Sequence, residues 1–71
     1  MKTATELLNE APASQVTRCR MAWNSIANGE WGDAAMYLSN ASKEGAGPEY
    51  WHWASACAEL GRFCQNKADA K

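Results

Sequence analysis

The stretch NGEWGDAAMYLSNA, residues 28–41, decides how this chain is read. Asn28-Gly29 ends whatever helix precedes it, because both residues tolerate the left-handed conformation that helix C-termini often adopt. Trp31, Ala34, Ala35, Leu38, Ala41 and Ser42 then recur at helical spacing and predict a helix over 31–43. Its inward face is made of small residues around one leucine and one indole, which suits close packing of a neighbouring helix. Lys43 falls in its last turn, where the helix dipole favours a cation.

Working outward, the segment before Asn28 predicts a helix over 15–28. Ser14 is its expected cap and Val16, Cys19, Trp23, Ile26 and Ala27 form its stripe. Further back, Thr3 and Glu6 have the spacing of a capping box, and Ala4, Leu7, Leu8 and Ala11 follow. Pro12 interrupts this opening segment, leaving residues 1–12 as a short separate helix or a flexible arm. On the other side, EGAGPE (44–49) is a loop. Pro48 suits the first turn of a helix over 48–60 that carries Tyr50, Trp53, Ala54, Cys57 and Leu60 inward. Gly61 is expected to break that helix. Residues after it form a short fourth helix, with Phe63 and Cys64 facing inward and 66–71 fraying. No window alternates with period two, so no strand is predicted.

The expected fold is therefore all-α: a single domain, residues 1–71, of three to four short antiparallel helices in a helical-repeat-like bundle. A second Gly-x-aromatic, Gly61-Arg62-Phe63, begins 32 residues after Gly29. Tetratricopeptide repeats are helix–turn–helix units with a period of about 34 residues. The run Gly29, Trp31, Ala34, Leu38, Ala41 resembles the turn and second helix of such a repeat. Tyr50, Ala54, Gly61 and Phe63 resemble the first helix and turn of the next, with Ala54 at the family's small position. The resemblance spans one and a half degenerate repeats, residues 29–68. It departs from the family in the first helix, where the family's core positions fall on Arg18, Met21, Ala22 and Ser25 instead of the stripe above. It departs again at Asn66, where an alanine is expected. What it implies is a protein-binding module with an apolar face left open, since arrays need about three units to close a core.

Size and composition narrow the function. A chain of 71 residues buries only about 60% of the surface its unfolded form exposes. It carries 46% apolar and 21% charged residues with a net charge of −1, which gives no overall attraction to nucleic acid or anionic membrane. Nor is there an apolar run of export-signal or membrane-spanning length. Cys19, Cys57 and Cys64 are an odd set with no Cys-x-x-Cys pair, and read as reduced core thiols. A cytoplasmic location is the expectation that follows.

Chemistry is poorly provided for. His52 is the sole histidine and lies about 140° around its helix from Cys57, too far for a nucleophile–base pair. The carboxylates fall at helix ends and outer faces, and no phosphate loop or metal-ligand spacing occurs. Hence no catalytic, cofactor or metal residues are assigned, and the chain is read as non-enzymatic.

The aromatic residues point elsewhere. Trp51 lies about 100° from Tyr50 and about 160° from Trp53, so it stands off the inward stripe. With Ser55, Ala58 and Arg62 it makes a second face, and tryptophan and arginine are the residues that dominate protein interfaces. The expected protein-binding residues are Trp51, His52, Ser55 and Arg62, extended by Met36 and Tyr37 from the preceding helix. On this reading the chain binds a larger protein and blocks or recruits it, as a phage- or mobile-element-encoded inhibitor of a host protein or a bacterial adaptor would. Two other classes stay open: a structural homodimeric helical subunit, and a small DNA-binding regulator, which two arginines on the first helix support only weakly.

Overall fold

The computed structural model describes residues 1–45 and 47–70; Ala46, within the expected loop, and Lys71, in the expected tail, lie outside the described residues. Among the described residues there are four α-helices and no strand: α1 (Ala4–Glu10), α2 (Val16–Ala27), α3 (Trp31–Glu44) and α4 (Trp51–Asp69). Short 3₁₀ turns, Ala13–Gln15 and Pro48–Tyr50, lead into α2 and α4. Ser14 therefore sits inside a 3₁₀ turn. The residue that precedes α2 is Gln15, and it makes no side-chain cap. No helix of the described chain is long and apolar enough to cross a membrane.

The capping box forms as expected, Thr3 Oγ1 accepting from the Glu6 backbone N–H at 3.2 Å while the Glu6 carboxylate accepts from Thr3 N–H. At the far end of α2, Gly29 adopts φ 74°. Its N–H donates to Ile26 O at 3.1 Å and that of Glu30 to Ser25 O at 2.8 Å. This paired reversal satisfies two carbonyls that the helix leaves open, and it needs a residue at ease with positive φ.

Gly61 behaves differently. Instead of ending a helix it lies within α4, which runs unbroken from Trp51 to Asp69. The expected short fourth helix and residues 66–69 of the expected fraying tail (66–71) are thus the second half of one 19-residue helix, with Ala70 as its C-cap. A Cβ added at Gly61 would stand 3.4 Å from Leu38 Cβ and 3.7 Å from Ala35 O. The glycine is the point where α3 and α4 cross closely, and burial of that crossing outweighs its weak helix propensity of about 1 kcal/mol. The chain therefore turns at Gly29 and passes straight through Gly61.

Close packing runs through the core, where Cys19, Ala22, Ala34, Ala35, Ala41, Cys57 and Cys64 are small and Leu7, Leu38, Trp53 and Leu60 supply the bulk. The faces expected of α3 and of the first half of α4 are the buried ones, except that Tyr50 falls in the 3₁₀ turn before α4 and is only half-buried. On α2 the stripe is displaced: Ala22 and Ser25 are buried, whereas Trp23 is 42% exposed and Ile26 only half-buried. Likewise Phe63 is not inward. It meets Trp31 edge-on, ring centroids 6.3 Å apart, at the surface, with the Lys67 ammonium 5.6 Å from its ring. Of the two options for residues 1–12, the chain takes the helix: α1 packs against α2 and α4, with Leu7 buried.

Candidate protein-binding surface

Trp51 and Trp53 define the geometry of α4. Two residues apart, they point to nearly opposite sides of the helix; Trp53 is 4% exposed and Trp51 is 61% exposed. Trp53 is tied inward by a hydrogen bond from its indole Nε1 to Leu7 O at 2.9 Å. Trp51 stands outward, its ring against the His52 imidazole with centroids 3.4 Å apart and planes 31° apart. Ser55 and Arg62 are exposed on the same outer side. Among the described residues the ion pairs are Lys2–Glu10 and Arg18–Glu44, so Arg62 and Glu59, three apart on α4, are both free at the surface.

The two residues expected to extend this patch divide. Met36 is 49% exposed on α3. Tyr37 does not join the α4 face; it turns to the other flank of α3 and lines an open groove of about 280 Å³ with Ser14, Thr17, Arg18 and Met21. Arg18 is already engaged there, donating from Nη1 to Gln15 Oε1 at 3.0 Å and pairing with Glu44. The surface thus carries a Trp51 face on α4 and a separate Tyr37–Met21 groove between α2 and α3. Met21 escaped sequence reasoning because it lies off the apolar stripe of α2, with no local signal that a groove would form beside it.

The thiols and the imidazole are kept apart by burial. Cys19, Cys57 and Cys64 are all buried and reduced, whereas His52 is exposed. Cys57 shares a hydrogen bond with Cys19, which together with burial raises the Cys57 thiol well above its ordinary value. The same hydrogen bond, helped by the nearby Arg18 charge and opposed by burial, lowers Cys19. Cys64 is pushed up by burial. Among the described residues, no three His, Cys, Asp or Glu side chains gather closely enough to hold a metal ion.

Comparison of the chain with protein-family models, curated proteins and solved structures finds no match.

Proposed function

We propose that this chain is a non-enzymatic protein-interaction module that docks on a larger protein through the Trp51 face of α4, blocking or recruiting it. The observation that carries the reading is the exposure of Trp51, an indole held on a regular helix with most of its surface in water. Burying a ring of that size contributes on the order of 2 kcal/mol or more at an interface centre, where tryptophan is the favoured anchor. His52 buttresses the ring on one side, and Ser55 leaves room beside it for a partner's side chain. Among the described residues Arg62 and Glu59 have no ion-pair partner, and they are available for polar contacts at the rim, which set orientation more than affinity. Support for a non-catalytic role comes from the separation of exposed His52 from three buried thiols. Of the tetratricopeptide-like resemblance, the turn at Gly29 and the helix α3 keep the expected geometry while the second turn, at Gly61, is lost within α4; protein binding is what that resemblance implies. An inhibitor of a host protein encoded by a phage or mobile element is the concrete role that a small helical binder of this kind suits.

The test compares immobilised wild type, Trp51→Ala and an Arg20→Ala surface control for capture of proteins from the source organism's lysate. A specific partner is expected on wild type and Arg20→Ala and absent, or weakened about thirtyfold, on Trp51→Ala. Equal capture by Trp51→Ala would remove that face from the reading.

A further inference from the structure

The attachment of α1 plays no part in the Trp51 face. At seven residues, α1 is too short to be stable as an isolated helix, so it exists because it is docked. The docking is narrow. Leu7 alone is fully buried, with Ala4, Leu8 and Ala11 partly covered around it. Two indoles of the main body hold it, Trp53 Nε1 donating to Leu7 O at 2.9 Å and Trp23 Nε1 donating to Thr5 Oγ1 at 3.1 Å. Each of these partners lies on α2 or α4, and none of the contacts depends on α1 belonging to the same molecule.

The connection is built as a hinge. Ala11 (φ −65°, ψ 139°) and Pro12 (φ −62°, ψ 152°) are extended, and proline disfavours helix in the residue before it. The α1 segment therefore cannot merge with the helix that follows, and rotation about ψ at Ala11 and Pro12 re-aims it, lifting the buried Pro12 ring from its packing as it does so.

We propose that α1 is an exchangeable latch, and that its seat between α2 and α4 also accepts α1 from a second copy of this chain, forming a reciprocal dimer. The seat selects for a short helix that places one leucine in the core and a free carbonyl opposite the Trp53 N–H, and α1 of another copy meets both demands identically. A two-fold exchange fills both seats and leaves neither the indoles nor the leucine unpartnered, so each contact of the closed monomer is recovered. The swapped form leaves both Trp51 faces outside the exchanged seats, so it displays two of them.

The test deletes the exposed Ala13 and Ser14, which keeps the break at Pro12, shortens the connection by about 4 Å and stops α1 closing onto its own seat. By light scattering the shortened chain is expected to be a dimer with the helical circular dichroism of wild type, and Leu7→Asp in that background is expected to restore the monomer. A shortened chain that stays monomeric, or that loses its helical signal, overturns the proposal. So does a shortened dimer that Trp51→Ala dissolves, because the contact would then run through the other face. In wild type, hydrogen exchange gives an independent reading: α1 amides are expected to exchange at least about tenfold faster than those around Cys57 and Leu60. Equal rates would make α1 an inseparable part of the core and end the latch.

Discussion

The indole of Trp53 closes the C-terminal end of α1, donating to the carbonyl of Leu7, 46 residues earlier in the chain. Within α1 that carbonyl lacks its usual partner, because the Ala11 N–H turns to Leu8 O instead. A side chain from the last helix thus satisfies the orphan acceptor of the first, in a buried setting where an unpaired carbonyl is costly. Trp53→Phe keeps most of the ring volume and removes only the donor. It is expected to lower stability by about 1–3 kcal/mol in urea unfolding. An unchanged midpoint would mean that water reaches Leu7 O and the bond is dispensable.

Gly29 and Gly61, alike in the sequence, should respond to the same substitution with opposite signs. Gly29→Ala forces a side chain into positive φ and is expected to cost about 1–2 kcal/mol. Gly61→Ala places a methyl at ordinary contact distance from Leu38 inside a helix and should stabilise by about 0.5–1 kcal/mol. Gly61→Leu overfills the crossing and is expected to destabilise by about 1–3 kcal/mol. Thermal melts of the three variants decide it, and a destabilised Gly61→Ala would show that the crossing has no slack at all.

Trp51→Ala should leave the helical circular dichroism intact and shift stability by no more than about 0.5 kcal/mol, the range of ordinary surface changes. A large loss would place the ring in a structural contact and remove it as an anchor.

The thiols give a pH prediction. Cys57 and Cys64 are raised in the folded chain, so the folded state holds their protons more tightly than the unfolded one. Their contribution is complete below the ordinary thiol value of 9.0 and is lost as the pH climbs above it. Cys19, lowered by its bond with Cys57, acts in the opposite direction and offsets part of the slope. Melting temperature is expected to fall above about pH 9, and less steeply in Cys64→Ala. An identical slope in Cys64→Ala would mean that this thiol is not desolvated. In keeping with burial, a disulfide reagent should label the three thiols slowly in the native chain and promptly in denaturant.

Much of this was legible locally. The turn at Gly29, the capping box at Thr3 and Glu6, the buried face of α3 and the outward stance of Trp51 depend on residue type and helical phase over a few positions. The face of α2 was not legible in the same way. Val16, Cys19, Ala22, Trp23, Ile26 and Ala27 spread apolar character around a wide arc, so phase alone does not say which part faces inward. Closely approaching helices select Ala22 and Ser25, the small residues, and leave the large Trp23 at the edge, where its N–H finds Thr5. The Tyr37 groove, too, arises from the lie of two helices against one another.

All-α character, the reversal at residues 28–30 and the separation of Trp51 from Trp53 follow from the sequence by itself, because backbone preference and the turn of a helix act over neighbouring residues. Tertiary packing alone decided that α4 continues through Gly61, that α1 docks and that Phe63 stays at the surface. In each case a contact between distant segments, Leu38 on Gly61, Leu7 under Trp53 or Trp31 on Phe63, outweighs a local preference worth only about 1 kcal/mol.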